Sequence, residues 1–123
     1  MKIILHGNAY STNNIYYHHG CRAFIKAKPA KLKKSYQEQA QEQWGADPLG
    51  CNLEVNIGIY FGDKRKRDWD NYHKLAMDSL TGIVWEDDSQ IKKATVSLGY
   101  DKNDPRIEIE VIIKELDSLD SKK

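Results

Sequence analysis

The chain has 123 residues, enough for one domain with a real hydrophobic core and too few for two. Hydrophobic residues make up 40% and charged residues 30%, yet the formal net charge is only +1, so a global basic field is excluded and any attraction for a polyanion must come from local patches. The two cysteines, Cys21 and Cys51, are far apart and form no C-x-x-C pair, which excludes a disulfide scaffold and suits reduced thiols in a cytosolic protein.

The first residues carry one lysine and an apolar stretch shorter than the roughly 7 to 15 residues of a signal-peptide core, and no segment approaches the ~20 apolar residues of a membrane span. A soluble, cytoplasmic protein with no membrane partner is expected. Ile3 and Leu5 alternate with more polar neighbours and predict a strand over 2–6. Residues 8–30 hold Asn8, Ser11, Asn13, Asn14, Gly20 and Pro29, a turn-rich stretch with room for short extended pieces at Tyr16-Tyr17 and at 21–25.

From Lys31 to Trp44 the residues are helix formers with no Gly or Pro, and Gly45 supplies a stop. Leu53, Val55, Ile57, Ile59 and Phe61 alternate with Asn52, Glu54, Asn56, Gly58 and Tyr60, which predicts a strand over 52–61. After a loop from Gly62 to Arg67, the spacing of Asn71, Tyr72, Leu75, Ala76, Ser79 and Leu80 predicts a helix over about 70–81 that closes at Gly82. Ala94, Val96, Leu98 and Tyr100 alternate, as do Ile107, Ile109, Val111 and Ile113. The turn Asp101 to Pro105 between them predicts a hairpin. Residues 117–123 are polar and read as a frayed tail. The order implies an α/β fold of α+β-like character, a small mixed sheet of about four to five strands with two helices packed on it, in a single domain over 1–123.

Chemistry concentrates between Arg67 and Ile91, in Arg67-Asp68-Trp69-Asp70-Asn71-Tyr72-His73-Lys74 and in Trp85-Glu86-Asp87-Asp88-Ser89-Gln90-Ile91. Clustered carboxylates repel one another, and a bound divalent cation offsets that repulsion. Asp68 and Asp70 are two apart, so in extended chain both point the same way and can share one ion. Asp70 and Lys74 are four apart, which on a helix sets them on one face. Oxygen ligands without Cys or a His set suit Mg²⁺ or Mn²⁺. The basic run Lys64-Arg65-Lys66-Arg67 precedes the first aspartate and would draw phosphates toward the ion. The pattern is that of a metal-dependent nuclease.

Plainer readings stand beside this one. Asp68-Trp69-Asp70 reads equally as a capping cluster at a helix N-terminus, and Asp87-Asp88-Ser89 as a turn between helix and strand. Lys64 to Arg67 reads as a solvated loop as readily as a DNA contact. Trp69 and Trp85 read as core or interface anchors in preference to base-stacking platforms, and His73 as a helix-surface residue. His18-His19 with Cys21 is a poor zinc set, since adjacent residues rarely chelate one ion with good geometry.

The series Arg67-Asp68-x-Asp70-Asn71-x-x-Lys74-x-x-x-Asp78-x-Leu80 and the run Gly82-Ile83-Val84-Trp85-Glu86-Asp87-Asp88-Ser89-Gln90-Ile91 resemble the RusA-type Holliday junction resolvases in order and nearly in spacing, across about residues 64–93. Ser11, Asn13, Asn14 and Tyr16 resemble the family's Asn-rich N-terminal turn, although Ala9-Tyr10 stand where prolines are common. The resemblance implies a Mg²⁺-dependent homodimer, often of phage or prophage origin, that nicks two strands of a four-way DNA junction. It matches Asp68, Asp70 and Asp88 to the metal-binding catalytic carboxylates and Lys74 to the essential lysine, with Asp87 as a neighbour. It also sets Lys64, Arg65, Lys66, Arg67 and Asn71 along the DNA path. A flap or branched-DNA nuclease and a non-catalytic DNA-binding module are the alternatives.

Overall fold

The computed structural model describes residues 1–11 and 15–114. In chain order the elements are β1 (Lys2–His6), β2 (Tyr16–His19), β3 (Arg22–Ile25), α1 (Ala27–Trp44), β4 (Leu53–Phe61), α2 (Lys74–Leu80), a 3-10 turn (Asp88–Gln90), β5 (Ile91–Tyr100) and β6 (Arg106–Ile113). Asn13, Asn14 and the tail 117–123 lie outside the described residues. No helix is long and apolar enough to cross a membrane.

A four-stranded sheet in the order β1-β6-β4-β5 organises the chain, and β2 pairs with β3 in a separate two-stranded sheet. Strand β4 is antiparallel to β6 and parallel to β5. Its inward residues Leu53, Val55, Ile57, Ile59 and Phe61 are all buried, as the period-two alternation predicts. They meet Val111, Ile109 and Ile107 of β6, and those in turn meet Ile3 and Leu5 of β1. Tyr36 and Ala40 of α1 and Leu75, Ala76 and Leu80 of α2 close the same core.

The expected hairpin between the last two strands does not form, because β4 lies between them. The connection from Asp101 to Pro105 steps over the end of β4, and the Asp101 N–H donates to the Phe61 carbonyl at 2.9 Å. Alternation reveals which face a strand buries and not which strand lies beside it; the all-apolar inward row of β4 is covered best with a neighbour on each side. Helix α1 begins at Ala27, ahead of the predicted start at Lys31, because proline is tolerated in a first turn whose N–H groups lack intrahelical partners. It ends as predicted, with Gly45 at φ 61° donating to the Gln41 carbonyl.

The two sheet edges differ. On the outer side of β1, the Gln43 amide accepts from the Ile4 N–H at 2.8 Å and donates to the Ile4 carbonyl at 2.7 Å. Gln39, one turn earlier on α1, does the same for His6 at 2.8 and 3.1 Å. Two glutamines four residues apart thus supply the partners that another strand would supply. At the opposite edge, Leu98 and Tyr100 of β5 lie in register with Ile59 and Phe61 on the helix-covered face, yet they are 38% and 44% exposed. The helices stop short of this strip.

Ile109 is fully buried between Ile3 and Ile57. Ile109→Ala should lower the unfolding free energy by about 2–5 kcal/mol, read from urea denaturation.

Candidate active site

A parallel strand pair needs a long crossover, and here residues 62–90 make it. Its first part is pinned by Arg67. That guanidinium lies 4.0 Å from the centre of the Phe61 ring and 5.8 Å from that of Tyr72, and it pairs with Asp63 at 2.9 Å, leaving the side chain 10% exposed. The hydrogen bond from Arg67, with the backbone N–H of Arg65, holds the Asp63 carboxyl down at about 2. Arg67 therefore braces the loop from within, whereas Lys64, Arg65 and Lys66 are exposed. Lys64 rests over Tyr100 at 4.9 Å and Arg65 pairs with Asp63 at 3.4 Å. Beside this loop a hollow of about 390 Å³ is lined by Asn8, Tyr10 and Ser11 of the N-terminal turn together with Arg65, Arg67 and Tyr72.

Asp68, Trp69 and Asp70 follow, all exposed, in a turn that ends before α2. Two expectations are corrected here. Helix α2 starts at Lys74, so Asp70 and Lys74 do not share a helical face. The position before α2 is His73, with no side-chain cap, so the aspartates do not cap this helix. The apolar spacing of Tyr72 extends the predicted helix too far; Tyr72 instead packs edge-on against Phe61 at 5.0 Å, held by Arg67. Trp69 is 62% exposed and anchors no core, in contrast to Trp85, which is fully buried.

Asp70, Asn71, His73, Lys74, Asp78 and Asp88 line one open cleft of about 380 Å³. The sequence-predicted residues Asp70, Lys74, Asp88 and Asn71 are thereby brought together. Asp68 is not among the lining residues and joins through Asn71, whose amide donates to its carboxylate at 3.4 Å. Lys74 pairs with Asp78 one turn later at 3.4 Å. His73 turns Nδ1 inward, where it is buried without a hydrogen-bond partner among the described residues.

Asp88 is the most firmly oriented of these carboxylates. Its Oδ1 accepts from the Thr81 hydroxyl at 2.7 Å and from the Trp85 indole N–H at 3.2 Å, and that N–H also reaches Thr81 Oγ1 at 3.1 Å. Burial of Trp85 makes the indole a fixed post. The neighbouring Asp87 has a separate task as the cap of the 3-10 turn, accepting from the Ser89 N–H at 2.9 Å while Gln90 accepts from the Asp87 N–H at 2.8 Å. Hydrogen bonds from Ser89 hold its carboxyl below the usual range. Gln90 then donates to the carbonyls of Leu49 and Cys51 at 2.7 and 2.8 Å, tying the turn to the segment that leads into β4.

Asp70 and Asp88 offer hard oxygen donors at a solvent-open cleft. Among the described residues, no three His, Cys, Asp or Glu side chains gather into a cage for an ion. This donor set fits Mg²⁺ or Mn²⁺, which are held through one or two carboxylates while keeping water and accepting substrate oxygens. An oriented Asp88 fits as well, because ligating carboxylates are themselves hydrogen-bonded. Residue-type reasoning overlooks Thr81. The spacing of Thr81, Trp85 and Asp88, with intervals of four and three, is the available signal, although the chain there turns rather than forming a helix.

A family model described as Endodeoxyribonuclease RusA matches residues 7–112. The chain is 29% identical over 82 residues to the crossover junction endodeoxyribonuclease RusA of Shigella sonnei (strain Ss046), covering 66% of this chain and 68% of that protein. It is 28% identical, with the same coverage, to the protein of that name from Escherichia coli (strain K12).

Because the Asp63 carboxyl is depressed, its pairing with Arg67 is complete above the ordinary carboxylate range and is lost only as pH falls through about 2. Arg67→Met should return Asp63 toward ~3.9 in an NMR titration and expose residues 62–73 to proteolysis.

Proposed function

The chain belongs to the RusA endodeoxyribonuclease family, and from that premise we propose that it resolves four-way DNA junctions by paired nicks, with the cleft between α2 and the 3-10 turn as its catalytic centre. The observation that carries this reading is the meeting of Asp70 and Asp88 with Lys74 in one open cleft, Asp88 being aimed by Thr81 and Trp85.

In this reading Asp70 and Asp88 hold a Mg²⁺ ion, for which Mn²⁺ can substitute, and Asp68 joins them from the rim through Asn71. The ion, when bound, stabilises charge on the phosphate under attack and lowers the pKa of a water. Thr81 and Trp85 keep Asp88 from rotating, so its free energy of ordering is met before DNA arrives. Lys74, steadied by Asp78, neutralises the negative charge added at phosphorus or delivers a proton to the leaving 3′-oxygen. The exposed Lys64, Arg65 and Lys66 attract the phosphate backbone, while Arg67 serves the same path indirectly by holding their loop.

Two nicks need two centres, and we infer a homodimer. The β5 strip of Ala94, Val96, Leu98 and Tyr100 supports a second copy as its occupant, since it is apolar, lies on the helix side and borders a sheet edge with no glutamine cover.

The test is an immobile four-way junction and a linear duplex of the same sequence, each with and without Mg²⁺. Paired symmetrical nicks confined to the junction and dependent on metal are expected; equal cutting of both substrates would indicate a less selective nuclease. Asp70→Asn should abolish nicking while junction binding is kept or tightened, and Thr81→Val should lower activity about 10- to 100-fold by leaving Asp88 less constrained. Leu98→Glu should convert the dimer to a monomer by light scattering.

A further inference from the structure

We propose that Trp69 is a stacking platform for an unpaired nucleobase beside the catalytic cleft, and so a determinant of specificity for branched over linear DNA. This rests on the nuclease reading above and extends it to a residue outside the acidic set.

The chain has three tryptophans, and two are engaged. Trp85 is buried, with its N–H on Thr81 and Asp88. Trp44 donates its N–H to the Asp47 carbonyl at 3.0 Å. Trp69 is 62% exposed, and among the described residues its indole has no hydrogen-bond or ring partner. Its Cα lies one peptide unit, about 3.8 Å, from those of both Asp68 and Asp70. Trp69 is not among the residues that line the cleft but is joined directly to Asp70, which is, so a base attached to a phosphate drawn to Asp70 would meet the ring at the rim.

The surroundings favour a nucleobase over a protein. Trp69 is flanked by exposed carboxylates and preceded by the exposed cations Lys64, Arg65 and Lys66. The core of a protein interface is depleted of charge, whereas single-strand sites combine basic residues with flat aromatic rings. Among the described residues, the other exposed large apolar side chains lie elsewhere, on β5 at Leu98 and Tyr100, on β6 at Ile112 and Ile113, and at Met1 and Tyr17. The platform also has a firm base, because Arg67, two residues before it, is locked between Phe61, Tyr72 and Asp63.

Discrimination follows from the state of the base. In a linear duplex every face is already stacked on its neighbours, so occupying Trp69 first requires unstacking. At a branch point the strands change partners and a base is released more cheaply. Stacking tolerates any base, so the contribution falls on DNA shape more than on sequence.

The experiment uses a four-way junction carrying 2-aminopurine at the crossover and a matched linear duplex, with wild type, Trp69→Phe, Trp69→Leu and Trp69→Ala. Binding is measured without Mg²⁺ and nicking with it. Trp69→Ala and Trp69→Leu should weaken junction binding by roughly 5- to 150-fold and lose the 2-aminopurine response, while Trp69→Phe retains most of both. Duplex binding should not change. Unaltered junction affinity and fluorescence in Trp69→Ala would overturn the proposal, as would equal losses on junction and duplex. A change in oligomeric mass in Trp69→Leu would overturn it by making Trp69 a protein contact. If the wild type nicks no DNA, the nuclease reading fails, and the fluorescence series still decides the stacking.

Discussion

The parallel pairing of β4 with β5 is the constraint on which the rest depends. Antiparallel neighbours can be joined by a tight turn, but a parallel pair forces the chain to travel back along the sheet before the next strand can begin. That return is residues 62–90, and every carboxylate and lysine of the proposed centre lies within it. Core and site are thus separable: β1, β4 and β6 supply the buried aliphatic layer, and the crossover lies over it with Asp68, Asp70 and Lys74 on its exposed side. Two aromatic posts keep the crossover from drifting. Phe61, at the end of β4, receives Arg67 at the start of the return, and Trp85 receives Asp88 near its finish.

How much is legible in the chain follows from what each pattern encodes. The inward rows of β4 and β6 are readable because alternation and burial are the same fact seen twice. Strand order is not, since an apolar row looks alike whichever strand lies beside it. The start of α2 is misread because Tyr72 satisfies a helical interval while packing on Phe61 from an irregular loop. Charge runs carry the same ambiguity. Lys64-Arg65-Lys66-Arg67 reads as four equivalent cations, and only the fold reveals that Phe61 and Asp63 claim Arg67. Asp87 and Asp88 are adjacent and chemically identical, and they part company because one faces the backbone N–H of Ser89 and the other faces Thr81 and Trp85.

A formal charge of +1 also acquires a different meaning once the pairs are known. Arg106 is engaged by Asp101 and Glu108 at 2.7 Å each, and Arg67 by Asp63 at 2.9 Å. These guanidiniums work inside the fold, across the β5–β6 connection and the loop after β4. Lys64 and Lys66 remain displayed near the acidic turn. The balance that looks neutral in composition is therefore uneven in space, with carboxylates and cations meeting along one side of the crossover.

The glutamines on α1 bear on assembly in a way that stability alone does not describe. A sheet with two open edges can be extended without end, each added copy offering a fresh edge to the next. Gln39 and Gln43 occupy the outward N–H and carbonyl groups of His6 and Ile4, which leaves β5 as the more open edge of this sheet. If two copies join through β5, as proposed above, each uses the more open edge of its four-stranded sheet. In the proposed dimer, a pair of side-chain amides on α1 would then favour assembly that stops at two copies.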